Sequence, residues 1–250
     1  MQLRLLEIAG DADEQAEIDD VRPQIQRLVF DYERFLRDNP NFAPGYVSFA
    51  LLLGSEVVDE RRRAAALLLK ANELDPRIAL VKNQLGNYLA EEGKPLEAIS
   101  YYLAAAEIEP DEPLYHYQIG LLLAVARSDF EGSGDWDSAT ITKTAHEALG
   151  RAYSMAPSNF EYGYRYAQSF YELPEPNWSA ALEAWRSLEA LSNTDLGRQA
   201  VLLQQANVRL LMGDQNEAAR LLDRVTLGDL QAQREELRKR LGGLGDDASD

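Results

Sequence analysis

The chain has 250 residues and no cysteine, which excludes disulfide bonds, thiol catalysis and cysteine-type zinc sites together. Its 42 acidic and 25 basic residues give a formal charge of −17, which argues against nucleic-acid binding and favours a neutral or basic protein partner. Alternatively, the acidic surface only keeps the protein soluble. Hydrophobic residues form 46% of the sequence, enough for a continuous core, but strand-like alternation is scarce, so we expect an all-α protein.

The N-terminal segment, residues 1–20, contains neither the apolar core of a signal peptide nor a membrane-spanning stretch. This segment is acidic, and we expect it to be partly ordered. We therefore expect no membrane partner, and a cytoplasmic location if this N-terminus is the native one. Asp20 fits the N-cap of a leading helix over 21–38, with Pro23 in the first turn and Asn39-Pro40 at the end.

From Gly45 onward, matching residues recur at intervals of 34. The series are Leu51, Leu85 and Ile119; Leu52, Gly86 and Gly120; Ala64 and Ala98; Ala71 and Ala105; and Pro76 and Pro110. A period of this length predicts helix-turn-helix repeats, each of which contacts only its neighbours. The stretch 79–112 is the most regular repeat, because Gly93-Lys94-Pro95 separates two amphipathic helices and Pro110 ends the second.

These residues resemble the tetratricopeptide-repeat family. The family pattern is matched by Leu85-Gly86, Leu89, Ala98, Tyr102, Ala105 and Pro110. The match is strong over 45–122 and recognisable to about 226. The resemblance implies a right-handed solenoid of about five helix-turn-helix repeats that binds a peptide or protein segment on its concave face, without a cofactor.

We expect a single solenoid over 21–241 and a disordered tail over 242–250. The repeats are predicted at 45–78, 79–112, 113–159, 160–194 and 199–228, with a capping helix over 229–241. In the third repeat the second-helix residues arrive 13 positions late. Turn formers are frequent over 128–138, so we expect a longer loop there, followed by a helix capped by Asp137 or Ser138.

In resembling folds, the first helix of each repeat faces the concave groove. Applied to this chain, the resemblance implies a peptide-binding groove lined by Tyr46, Phe49, Asn83, Asn87, Tyr117, Tyr164, Gln168 and Tyr171. Amides can donate to and accept from an extended backbone, and tyrosines offer flat apolar area with a polar tip. Alternatively, the asparagines are solvated or cap neighbouring structure, and the tyrosines pack between adjacent first helices.

Some members of the family hold a terminal carboxylate with lysine, asparagine and arginine. Asn87 and Arg165 fit that arrangement, but Asn83 and Glu161 stand where the lysines would be, so a carboxylate clamp is disfavoured. The alternative to a peptide-binding scaffold is a homo-oligomeric platform, which self-associates through a terminal repeat or the 128–138 loop.

Two aromatic residues of the 128–138 loop, Phe130 and Trp136, are predicted to contact a partner. Trp136 can instead fold back between helices. The alternating acids of this loop resemble the start of a calcium-binding EF-hand, but Thr140 stands where the bidentate glutamate would be. We therefore expect an ordinary acidic loop and no metal site.

The two histidines, His116 and His146, lie far apart in the sequence and in different predicted helices, with no nucleophile or acid at a catalytic spacing. Each is expected to be a packing or surface residue. A helical-toroid glycosidase would need two carboxylates in one cleft, and no pair stands out. We therefore expect no catalytic residues and no enzymatic activity.

Overall fold

A computed structural model describes residues 15–246 of the chain, and its side chains from 21 to 242. Within that range the chain is helical and has no strand. It divides into two compact units, the N-terminal unit (Met1–Pro110) and the C-terminal unit (Asp111–Asp250). Residues 1–14 of the predicted N-terminal segment and 247–250 of the predicted tail lie outside the described residues.

The described part of the N-terminal unit consists of a leading helix and two helix-turn-helix pairs. The helices are α1 (Gln15–Asp38), α2 (Ala43–Leu53), α3 (Arg61–Leu74), α4 (Ala79–Glu91) and α5 (Pro95–Ile108). Each packs against the next one along the chain. Helix α1 begins at Gln15, so the predicted start after an Asp20 cap is wrong, because the good helix formers Gln15, Ala16 and Glu17 extend the helix.

The C-terminal unit continues the same scheme with three further pairs and a final helix. Its helices are α6 (Pro113–Val125), α7 (Arg127–Ser133), α8 (Ser138–Met155), α9 (Phe160–Ser169), α10 (Trp178–Leu191), α11 (Asp195–Leu211), α12 (Gln215–Asp223) and α13 (Gln231–Asp246). The pairs are α6 with α8, α9 with α10, and α11 with α12, and α13 packs on α11 and α12. The prediction of an all-α repeat fold with about five helix-turn-helix repeats and flanking helices is confirmed.

The small residues of the repeat lie where two helices approach closely. A Cβ added to Gly86 would lie 2.6 Å from the Tyr102 ring, and one added to Gly120 would lie 2.6 Å from Cγ of Leu149. Tyr102 and Leu149 are both buried. Glycine at this position therefore lets a large side chain of the second helix pack directly on the backbone of the first.

The turns inside the repeats also share a backbone conformation. Gly93 and Gly213 end the first helices of their repeats with φ of +71° and +79°. Asp59, which stands one repeat before Gly93 at the corresponding place, has φ of +52°. A left-handed residue at this place reverses the chain into the second helix, which is why glycine is favoured there.

The predicted loop over 128–138 is wrong in its first half, because residues 127–133 form α7. Phe130 is fully buried, and its ring meets the edge of Trp136 with centroids 5.5 Å apart. Burial of the Phe130 ring outweighs the helix-breaking tendency of the turn formers around it. Because the ring is fully buried, Phe130 cannot contact a partner. Asp137 caps α8 as predicted, since its Oδ1 accepts from the Thr140 backbone N–H at 2.9 Å.

The C-terminal end also differs from the prediction. Helix α13 runs through Gly242 to Asp246, so disorder is the wrong prediction for 242–246. Gly242 is not among the residues with positive φ, and it therefore does not end the helix. Leu237 anchors α13 in the core built by α11 and α12. None of the described helices combines the length and the apolar character needed to cross a bilayer.

Candidate binding clefts

Three predicted groove residues share one repeat position, and all three are buried. Phe49, Asn83 and Tyr117 follow one another at intervals of 34 and are 2%, 1% and 7% exposed. Phe49 stacks on Tyr32 with centroids 5.2 Å apart. Oδ1 of Asn83 has no hydrogen-bond partner among the described residues. Because this helix position faces neighbouring helices, the prediction of exposed groove contacts is wrong for these three residues.

Tyr117 is the residue at this repeat position in the C-terminal unit, and it contacts the next first helix, α9. Its hydroxyl donates to Oε1 of Glu161 at 2.7 Å, and its ring lies 4.7 Å from that of Tyr162. Burial, together with the hydrogen bond and the charge of Glu161, raises the pKa of Tyr117 to about 12. The alternative that tyrosines pack between adjacent first helices is therefore the correct one for Tyr117.

The remaining predicted tyrosines are half-buried and also have partners inside the chain. Tyr46 donates to the Pro40 carbonyl at 3.1 Å. Tyr164 accepts from Gln168 at 3.3 Å and lies edge-on to Trp185. Tyr171 donates to Oε1 of Gln204 at 3.1 Å, which links the end of α9 to α11. Since these tyrosines are only partly exposed and have partners inside the chain, only part of each side chain is accessible to a ligand.

The predicted Asn87 lines a cleft of about 350 Å³ in the N-terminal unit. This N-terminal cleft lies between α2, α3 and α4. Asn87 accepts from the Tyr102 hydroxyl at 2.8 Å. The charged residues of the lining are Glu56, Arg61 and Glu91, and Arg61 donates to Glu91 across the cleft at 2.7 Å.

The predicted Gln168 and Tyr171 line a larger cleft of about 510 Å³ in the C-terminal unit. This C-terminal cleft lies between α6, α8, α9 and α11. Its apolar wall on α6 consists of Leu121, Ala124 and Val125, and its polar wall consists of Arg165, Gln168, Ser169, Tyr171, Glu172, Gln204 and Asn207. Val125 is 75% exposed although it is a large apolar side chain. The cleft thus combines exposed apolar surface with amide groups.

The two clefts use corresponding repeat positions. Seven pairs of lining residues are separated by one and the same interval, namely Arg61 and Thr142, Ala64 and Ala145, Leu68 and Leu149, Gln84 and Arg165, Asn87 and Gln168, Tyr88 and Ser169, and Glu91 and Glu172. That interval is the length of two repeats plus the insertion of the third repeat. The fold therefore builds the same kind of cleft twice with different side chains.

An arginine–glutamate pair occurs in both clefts, but its arginine comes from different places. Glu172 accepts from Arg127 at 3.1 Å, as Glu91 accepts from Arg61. Thr142 stands at the position that corresponds to Arg61, and its hydroxyl accepts a second bond from Arg127 at 2.8 Å. The inserted segment thus supplies the guanidinium that α8 lacks.

Sequence reasoning missed Val125, Arg127, Gln204 and Asn207 as lining residues. The signal for Arg127 is its place at the start of the insertion, next to the end of a first helix. That signal becomes readable only after the insertion has been aligned with the regular repeat, because the residues at intervals of 34 before Arg127 are Gly93 and Asp59, and neither is an arginine.

The histidines are packed, as predicted. His116 is buried. Nδ1 of His146 lies 2.7 Å from the Ser169 hydroxyl, and burial lowers the pKa of His146. Ser169 lines the C-terminal cleft, but its hydroxyl also lies 2.7 Å from the Tyr166 carbonyl, to which it donates. Among the described side chains, no three His, Cys, Asp or Glu residues are grouped so that they could hold a metal ion.

No family model matches the sequence, and no curated protein matches it. Among solved structures, YrrB is described as a TPR protein with an unusual peptide-binding site. It superposes with a TM-score of 0.66 at 21% identity, over 83% of this chain and 97% of that one. The chain has the tetratricopeptide-repeat fold. Two further structures share this TPR fold: pilF of Pseudomonas aeruginosa, with a TM-score of 0.60 at 16% identity over 95% of this chain and 96% of that one, and PilW, a type IV pilus biogenesis factor, with a TM-score of 0.55 at 15% identity over 92% of each chain.

Proposed function

We propose that the chain is a non-catalytic protein-interaction scaffold that binds a segment of another protein in the C-terminal cleft. The observation that carries this proposal is the pairing of an exposed apolar wall with an amide wall in one cleft. An extended peptide needs both, because its backbone seeks donors and acceptors while its apolar side chains seek burial.

The dimensions and the lining of the cleft support the same function. A volume of about 510 Å³ suits a few side chains of a bound peptide. Leu121 and Val125 offer apolar area on α6, and Gln168, Gln204 and Asn207 offer amides from α9 and α11. The peptide-binding site named for YrrB belongs to a protein of the same fold, which supports a binding role here by analogy.

The test uses peptides selected from a random displayed library on the immobilised full chain. Affinities of the selected peptides are then measured by fluorescence anisotropy. Ala124→Trp places a bulky ring on the exposed cleft wall and should weaken binding about tenfold or more. The matched control is Ala190→Trp, at an exposed position on α10 outside the cleft, which should leave binding unchanged. A library that yields no binder, or binders insensitive to Ala124→Trp, would refute the proposal.

A second candidate function, self-association, is favoured by exposed phenylalanines in the N-terminal unit. Phe30 is 59% exposed, and Phe35 and Phe42 are each more than one-third exposed. Light scattering should show a mass that rises with concentration, and Phe30→Ser should abolish the rise. Leu69→Ser, at an exposed apolar position on α3, is the control. A constant monomer mass would eliminate this candidate.

A further inference from the structure

We propose that the C-terminal cleft selects an acidic segment, in which a carboxylate follows or precedes an apolar side chain. This inference rests on the proposed function and names the chemistry of its partner. The charged lining consists of Arg127, Arg165 and Glu172, an excess of positive charge in a chain of formal charge −17. The corresponding N-terminal cleft has two glutamates and one arginine.

Arg165 is the residue that distinguishes the two clefts, because Gln84 holds its position in the N-terminal cleft. The Arg165 side chain is 43% exposed, and its Nε forms an ion pair with Glu161 at 3.9 Å, which is longer than a hydrogen bond. Glu161 already accepts from Tyr117 at 2.7 Å. The guanidinium of Arg165 therefore has donors that a ligand carboxylate can engage by charge-assisted hydrogen bonds.

Arg127 supplies a second guanidinium that is already aligned. Its two terminal nitrogens donate to Glu172 and Thr142, and its Nε has no partner among the described residues. Glu172 is 58% exposed, and exposed ion pairs contribute little to stability, so a ligand carboxylate can take its place. Glu172 thus competes with a ligand carboxylate for the guanidinium of Arg127.

A third arginine borders the same cleft. Nη1 of Arg240, on α13, donates to Oδ1 of the lining residue Asn207 at 2.8 Å. This bond orients the Asn207 amide, and the charge of Arg240 adds to the local positive potential. A peptide whose apolar side chain contacts Leu121 and Val125 can direct its neighbouring carboxylate to Arg165, because all three residues line the same cleft.

The experiment begins with the composition of the peptides selected on the full chain. Asp or Glu next to an apolar residue should be enriched. A selected acidic peptide is compared with its amide isostere, in which each Glu is replaced by Gln and each Asp by Asn. The isostere should bind about tenfold to a hundredfold more weakly, as expected for the loss of hydrogen bonds to a charged group.

Four variants assign that discrimination to the cleft. Arg165→Gln copies Gln84 and should abolish the preference for the acidic peptide, whereas Arg186→Gln, on the exposed face of α10, should retain it. Glu172→Gln should tighten binding of the acidic peptide, since Arg127 loses its internal competitor. The corresponding change in the N-terminal cleft, Glu91→Gln, should have no effect.

The outcomes separate this inference from the proposed function. Neutral or basic peptides that lose affinity in Ala124→Trp would overturn the acidic preference while retaining the scaffold. Acidic peptides whose preference survives Arg165→Gln, or whose binding weakens in Glu172→Gln, would also overturn it. A library without any binder would overturn both.

Discussion

Gly213 provides a direct test of the repeat turn. It connects α11 and α12 with φ of +79°, and no atom lies within 4 Å of the position that an added Cβ would take. Alanine therefore changes the backbone energy alone. A Cβ in the left-handed region costs about 1–2 kcal/mol, and the lower freedom of the unfolded chain returns about 0.4–1 kcal/mol. We expect Gly213→Ala to reduce the free energy of unfolding by about 1 kcal/mol.

Gly132 is the matched control in the same unit. It lies in α7 without positive φ, and an added Cβ again meets no atom within 4 Å. Alanine is favoured over glycine inside a helix by about 0.5–1 kcal/mol, so Gly132→Ala should stabilise. The free energy of unfolding of each variant is measured by urea unfolding, followed by circular dichroism. Both substitutions lie in the C-terminal unit, so they affect the same unfolding transition. Shifts of the same sign in the two variants would refute the assignment of left-handed strain to the turn.

Three further predictions concern the buried residues. Phe130→Ala should lower the free energy of unfolding by about 3–5 kcal/mol and Phe130→Leu by much less, as measured in urea, because Phe130 is a core residue. Gly86→Ala should cost about 1–3 kcal/mol in the same assay through the contact with the Tyr102 ring, and a smaller residue at 102 should restore part of it. The pKa values of Tyr102 and Tyr117 are raised from 10.0 to about 12, so folding favours the neutral hydroxyls. Their contribution to the free energy of unfolding is therefore present below pH 10 and is lost as pH rises toward 12. Tyrosinate absorbance should show a late step that shrinks in Tyr117→Phe; an unchanged late step would contradict burial of that hydroxyl.

The repeat fold could be predicted because close helix contacts require small residues at regular intervals in the sequence. Gly86 and Gly120 must be small for Tyr102 and Leu149 to pack on the helix backbone, and that requirement recurs at the same position of two successive repeats. The insertion could not be predicted in the same way. Turn formers dominate its composition, while one side chain, Phe130, decides that its first half is a buried helix.

The groove residues show a different limit of sequence reasoning. The repeat interval correctly groups Phe49, Asn83 and Tyr117, but an interval does not indicate how far each helix is rotated about its axis. A rotation of one residue, about 100°, moves a side chain from the open face to a neighbouring helix. Asn87 and Gln168, at another position of the first helix, do line clefts.

Net charge describes a repeat array as a whole and not the individual cleft that a ligand contacts. The formal charge of −17 favours a basic partner at long range, yet a bound segment meets only the side chains of its own cleft. In the clefts the sign depends on a few positions, since Arg165 replaces Gln84 while the glutamate of the arginine–glutamate pair is retained. Because each repeat contacts only its neighbours, such exchanges alter one cleft without disturbing the next. We therefore expect specificity in this chain to follow from the local sequence of each cleft and from the insertion that brings Arg127 to one of them.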